Sequence, residues 1–173
     1  MKKVIIGIGI PGSGKTTVLK DFAEKYNYIY ICPDEIRMEM LGDAADQSKN
    51  SEVWAEAHQR MRDFLAQGQT VVFDATFTNA NGRKNFLDLA RQSGAEKIQG
   101  ILFDTPLEIA QERNLSRERQ VPEHAMQRMH NDLQKDKPSL EDGLDAIFTL
   151  NEYQDLVNVE RAENTQKDFK KNR

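Results

Sequence analysis

Gly9-Ile10-Pro11-Gly12-Ser13-Gly14-Lys15-Thr16 satisfies the spacing G-x-x-x-x-G-K-[ST]. Val4 to Ile8, just before it, is apolar around one glycine and reads as a buried strand. Thr17 to Lys25, just after it, carries helical spacing at Val18, Leu19, Phe22 and Ala23. A glycine-rich turn between a strand and a helix is suited to hold an anion. Its glycines let successive N–H groups turn inward, and the helix N-terminus adds its dipole. Gly9, Pro11, Gly12, Ser13, Gly14, Lys15, Thr16 and Thr17 are therefore the expected residues for binding a nucleoside triphosphate, taken below to be ATP. Lys15 is expected to reach the outer phosphates and the Thr16 hydroxyl to coordinate Mg²⁺. A chain of this length meets the pattern by accident about once in 10²–10³ cases, so its place between strand and helix makes the signal strong. The loop says nothing about what receives the phosphoryl group.

Working outward, apolar runs alternate with helical patterns. Tyr28 to Cys32, Thr70 to Phe73, Lys97 to Phe103 and Asp145 to Leu150 read as four further strands. Glu35 to Leu41, Glu52 to Ala66, Arg83 to Gln92 and Glu123 to Gln134 read as helices. Another helix starts at Thr105-Pro106-Leu107-Glu108, with Thr105 as cap and Glu108 completing a capping box, and runs to about Asn114. This alternation predicts an α/β fold with a parallel sheet covered on both faces. The chain has neither an internal repeat nor a linker, so residues 1–173 are expected to form a single domain. From Asn151 on the sequence is polar, and residues 151–173 are expected to form a tail with a frayed end.

Composition narrows the class. The 10 glycines and 5 prolines in 173 residues exclude collagen-like and low-complexity chains. One cysteine excludes an internal disulfide and a cysteine-based zinc cluster. No apolar run approaches the roughly 18 residues of a membrane span, and the basic, apolar start is too short for a signal peptide. The protein is expected to be cytoplasmic, without a membrane partner. A net charge of -4 argues against tight nonspecific binding to duplex nucleic acid, though a local basic groove stays compatible with it.

Cys32-Pro33-Asp34-Glu35-Ile36-Arg37 follows the second strand, at the sheet edge where such folds bind ligands. Asp34 there is placed to accept a proton from an attacking hydroxyl, or to cap the helix behind it. Arg37, three residues on, shares a helix face with Asp34 and suits an acceptor that carries its own phosphate. Asp74 ends the third strand after Val71-Val72-Phe73, which resembles a Walker B strand. It is suited to hold Mg²⁺ or orient the acceptor, or else to bond neighbouring amides. Thr76, Asn79 and Arg83 are candidates to line the acceptor groove. Arg113, Arg117 and Arg119 fall within seven residues. They read as a mobile lid of about residues 113–135 closing over the phosphates, or as a solvated face pairing with Glu112 and Glu118. Cys32 reads as a small core residue, Trp54 as half-buried packing, and the three histidines lack metal-ligand spacing.

Taken together, these residues resemble the phage-type 5′-hydroxyl polynucleotide kinases, within a wider group of small P-loop kinases. The resemblance runs through Lys2 to Ile6 and Gly9 to Thr16. It continues in Asp34-Glu35-Ile36-Arg37, similar to the family's D-x-x-R, and in Asp74-Ala75-Thr76 with Asn79 and Arg83, similar to its D-x-T segment. Arg113-Asn114, Arg117 and Val121-Pro122 resemble its lid, and the likeness extends over about Met1 to Ile147. It implies a three-layer P-loop NTPase fold, with a five-stranded parallel sheet in the order 2-3-1-4-5 and a helical lid. It implies Asp34 as general base, Arg37 on the acceptor's adjacent phosphate, and Arg117, with Arg113, on the donor phosphates. Lys15, Asp34, Arg37 and Arg117 are then the catalytic set. Asp34, Arg37, Asp74, Thr76 and Arg83 form the acceptor side, and Thr16 and Asp74 hold the metal. The implied activity is Mg²⁺-dependent transfer from ATP to a 5′-hydroxyl end of DNA or RNA, a reaction of nucleic-acid repair. The chain carries no D-x-D-x-T motif, so the phosphatase activity of the phage enzymes is not expected. Pro138 to Ile147 looks more like the general small-kinase group, so a hydroxymethylated base in DNA or a small-molecule hydroxyl is the alternative acceptor. A nucleotide-binding switch or ATPase module is the alternative of another class. Association with a second copy is left open.

Overall fold

The computed structural model describes residues 1–162, and the expected frayed end lies outside the described residues. In chain order the elements are β1 (Lys3–Ile8), α1 (Lys15–Tyr26), β2 (Ile29–Ile31), α2 (Pro33–Leu41), α3 (Asn50–Ala66), β3 (Val71–Asp74), α4 (Ala80–Gln92), β4 (Lys97–Phe103), α5 (Leu107–Leu115), α6 (Glu123–Lys135), β5 (Ala146–Leu150) and β6 (Leu156–Arg161). A short 3-10 turn at Leu140–Asp142 precedes β5. None of the helices is long and apolar enough to cross a membrane among the described residues.

The sheet order is β2-β3-β1-β4-β5-β6. The first five strands are parallel and stand in the expected order. The sixth corrects the expectation of a five-stranded sheet ending in a polar tail: β6 turns back and pairs antiparallel with β5. It escaped the sequence reading because Leu156-Val157-Asn158-Val159-Glu160-Arg161 buries neither face, and all six residues are exposed. Strand periodicity is legible only where one face is buried.

Burial on both faces is what makes β1 a continuous apolar run. Val4, Ile6 and Ile8 join the larger core, with Val53, Ala57, Met61 and Leu65 of α3 and Phe86, Leu87 and Ala90 of α4. Ile5 joins the opposite core with Leu19 and Ala23 of α1, Val72 and Phe103. Gly7 lies under α1, where any side chain would run into Leu19. β1 is central, flanked by β3 on one side and β4 on the other. The chain builds one side of the sheet first and then crosses to the other, so the crevice at the carboxyl end of β1 is the expected ligand position.

Two local expectations are corrected. Thr105 does not cap α5. Pro106 occupies the cap position without a side-chain bond, and the Thr105 hydroxyl donates to the Ser13 carbonyl at 3.3 Å, which ties α5 to the glycine loop. Asp34 does not cap α2 either, since the cap position belongs to Cys32 and Pro33 takes the first helical position.

Candidate active site

The glycine loop sits between β1 and α1. Gly12 (φ +80°) and Gly14 (φ +86°) both adopt the left-handed backbone that favours glycine. At Gly12 a side chain would also collide with the Ala110 carbonyl of α5, and at Gly14 with the side chain of Gln154. The loop is thus enclosed by α5 and by the β5–β6 turn. The Gly9 N–H donates to the Thr76 carbonyl at 3.1 Å, linking the loop to the segment after β3. Ser13 is buried, and its hydroxyl has no hydrogen-bond partner among the described residues.

Asp74 lies at the centre of the cluster beneath the loop. Lys15 Nζ approaches its Oδ1 at 2.9 Å, and the Thr16 hydroxyl donates to its Oδ2 at 2.8 Å. The Tyr30 hydroxyl, from β2, donates to the same oxygen. Burial and the Asp74 charge push the Tyr30 phenol well above its ordinary range, so it stays protonated and acts only as a donor. All three partners of Asp74 are side chains, so the reading in which it bonds neighbouring amides does not describe this structure.

The described residues contain no group of three or more His, Cys, Asp or Glu residues that could hold a metal. Thr16 and Asp74 nevertheless offer two oxygens side by side at the loop. That sparse donor set fits Mg²⁺, which keeps several waters and takes further ligands from phosphate oxygens.

Asp34 and Arg37 stand one turn apart at the start of α2. Arg37 is buried, with 4% exposure, whereas the Asp34 side chain is 55% exposed to the cleft. Arg37 Nη1 donates to Asp34 Oδ1 at 2.6 Å, and Nη2 donates to Asn50 Oδ1 at 2.8 Å. The Arg37 Nε is buried without a partner among the described residues. Arg119 Nη1 lies 3.6 Å from the other Asp34 oxygen. A carboxylate held between two guanidiniums, one fixed and one on a loop, therefore faces the phosphate loop.

Arg113 Nη2 donates to the Glu152 carbonyl at 2.6 Å, and Nη1 reaches the Gly12 carbonyl at 3.5 Å. Arg117 is exposed on the segment between α5 and α6. Among the described residues none of the three arginines pairs with Glu112 or Glu118. A cavity of about 500 Å³ brings together the loop from Ile10 to Thr17, Asp34, Arg37, Asp74, Thr76 and these arginines.

One expected acceptor residue is elsewhere. Arg83 is 0% exposed. Its Nε donates to Asp142 Oδ2 at 2.9 Å, Nη1 to the Phe77 carbonyl at 2.8 Å, and Nη2 to the Asp136 carbonyl at 2.9 Å. All three nitrogens are spent inside the fold, so the guanidinium is not free to take an acceptor. Asn79 caps α4 by accepting from the Gly82 N–H. Residues that sequence reasoning missed are Tyr30, Asn50 and the Asn151–Asp155 turn. Tyr30 looked like one more apolar strand residue, and Asn50 lay in a polar loop. Neither carried a motif, and only folding brings them to Asp74 and Arg37.

A parallel α/β sheet with a glycine-rich phosphate loop at its central strand, a carboxylate at the end of the neighbouring strand and an arginine-bearing segment between α5 and α6 defines a P-loop kinase domain. The chain belongs to the AAA domain family AAA_33, which matches residues 4–135. It is 26% identical over 113 residues to an Acanthamoeba polyphaga mimivirus protein named as a bifunctional polynucleotide phosphatase/kinase, covering 65% of this chain and 23% of that one. It is 29% identical over 121 residues to a cytidylate kinase of Methanocaldococcus jannaschii, covering 70% of this chain and 67% of that one. Among solved structures, a chain of the Pnkp1/Rnl/Hen1 RNA repair complex superposes with a TM-score of 0.70 at 20% identity, covering 94% of this chain and 50% of that one. This chain therefore spans less than a quarter of the viral relative and half of that structural neighbour.

Proposed function

We propose that this protein transfers the γ-phosphoryl group of ATP to the 5′-hydroxyl end of a DNA or RNA strand. The observation that carries this reading is the Asp34–Arg37 pair. An exposed carboxylate and a buried guanidinium line one cavity with the phosphate loop. Lys15 and the lid arginines hold the donor phosphates and offset charge that develops during transfer. Thr16 and Asp74 would hold Mg²⁺, which would supply positive charge to offset that of the donor phosphates. Asp34 takes the proton of the acceptor hydroxyl. The acceptor oxygen forms its bond to the γ-phosphorus, the bond from that phosphorus to the β–γ bridging oxygen breaks, and ADP leaves. Arg37 holds the phosphate next to the acceptor hydroxyl, a role suited to a fixed guanidinium. The likeness to the viral polynucleotide phosphatase/kinase supports this acceptor. The likeness to a cytidylate kinase favours a second reading, in which the same chemistry serves a small-molecule hydroxyl or phosphate.

The test is label transfer from γ-labelled ATP with Mg²⁺ to 5′-OH DNA and RNA oligonucleotides, a 3′-nucleoside monophosphate, hydroxymethylated DNA and bare nucleosides. Lys15→Ala serves as the control. Label on 5′ ends, absent with the control, is the expected result. Label confined to a modified base or a small molecule would keep the mechanism and replace the acceptor. Arg37→Ala separates the roles further. It is expected to raise KM about tenfold or more for an acceptor bearing a 3′-phosphate, because a charge-assisted hydrogen bond is worth about 1.5–3 kcal/mol. The effect on a bare nucleoside should stay within about threefold. Equal losses on both would remove Arg37 from the acceptor role.

A further inference from the structure

A second cavity, of about 730 Å³, opens between α3 and α4. It shares Trp54, Ala75 and Thr76 with the phosphate cleft, so the two adjoin. Its volume falls within the range of small-ligand pockets, about 300–1,000 Å³. Its walls are aromatic. The Trp54 ring stacks on Phe73 with centroids 5.9 Å apart, and His58, one turn along α3, lies 5.7 Å from Trp54. Phe86 lies 4.5 Å from Phe73, and Phe77 lies 4.8 Å from Phe86. Trp54 and His58 are only half-buried, which leaves ring surface for a ligand. Burial and the nearby Arg62 hold the His58 imidazole below its ordinary range.

Polar side chains share the lining: Thr76, Asn79, Arg83, Asn85, Asp88 and Gln92. Asn79 uses its carbonyl oxygen on Gly82, and its amide nitrogen has no partner among the described residues. Asn85 is exposed on the next turn of α4. One wall is also strained. Phe77 has φ +48°, a backbone that bulky residues rarely adopt. Two hydrogen bonds hold that turn, from the buried Arg83 to the Phe77 carbonyl and from Gly9 to the Thr76 carbonyl. The strained turn thus belongs to the cavity wall and to the support of the phosphate loop at once.

We propose that this cavity holds the base of the acceptor's terminal nucleoside, with its ring stacked on Trp54 and its edge facing Asn79 and Asn85. The inference rests on the kinase reading above and adds that a flat heteroaromatic ring is a feature the site recognises. A bare sugar would leave the aromatic walls unpartnered. Stacking on them tolerates any base, since each has a π-face.

Trp54 is the one tryptophan in the chain, so its emission reports directly on the cavity. The full chain, with ADP and Mg²⁺ present, is titrated with a 5′-OH dinucleotide and with the same dinucleotide carrying an abasic 5′ residue. A saturable quench at least about tenfold tighter for the base-bearing ligand is expected. The kinetic counterpart is a KM at least about tenfold higher for an oligonucleotide with an abasic 5′ end. Trp54→Ala should collapse that ratio to within about twofold, and His58→Ala should reduce it part of the way. Equal quench and equal KM for the two ligands would overturn the base pocket while leaving label transfer to 5′ ends intact. A base-dependent quench without label on any 5′ end would support the pocket and overturn the 5′-hydroxyl acceptor. The absence of both signals would overturn both readings.

Discussion

Asp34→Asn is expected to lower kcat by about 10²–10⁴-fold while ATP affinity stays within about threefold. The replacement is isosteric and leaves an oxygen that can still accept from Arg37 Nη1. Arg37 also keeps its bonds to Asn50 and the Ala44 carbonyl, so the start of α2 should hold its shape. What disappears is the ability to take a proton, together with the charge that faces Arg119. If Asp34 is the general base, the loss falls on the chemical step and not on the donor, whose phosphates we propose to be held by the loop across the cavity. Single-turnover rates together with ATP titration check this. A collapse of ATP binding would assign Asp34 to the donor side. An unchanged kcat would require another base, and Glu35 is a poor substitute because it is exposed and paired with Lys20.

Arg83→Met is expected to destabilise the fold by about 3–5 kcal/mol, with little direct effect on nucleotide affinity. The guanidinium bonds Asp142 and two carbonyls within a site that excludes water. Methionine keeps the length and loses the charge and all three donors. Asp142 would then be left buried beside a distant Lys84 at 4.0 Å, and the Phe77 and Asp136 carbonyls would lose these donors. Removing one member of such a buried pair costs far more than the pair contributes by its presence. Urea denaturation gives the loss directly. The double variant Arg83→Met/Asp142→Asn should lose clearly less than the sum of the single losses, because the unpaired charge disappears with its partner. A variant with wild-type stability and a raised acceptor KM would return Arg83 to the acceptor groove.

Much of this architecture was legible in the residues. A buried strand, a glycine turn and a lysine at the head of a helix form a local pattern, set by backbone geometry over a few consecutive residues. The five parallel strands were legible because burial leaves each of them mostly apolar, most completely in β1 and β3. Asp34 and Arg37 could be paired from sequence because three residues are one helical turn. The sixth strand was not legible, because an edge strand with both faces in water carries no burial pattern. Arg83 misled for a related reason. Four residues past the Asn79 cap it reads as a groove residue, and nothing local announces that Asp142, 59 residues away, will bury it. Tyr30 on Asp74, Asn50 on Arg37 and the aromatic cavity between α3 and α4 join segments whose meeting depends on how helices pack on the sheet. Local chemistry and periodicity repeat along the chain and can be read from it. Long-range contacts depend on the packing of whole elements, so these burials and pairings emerged only with the folded chain.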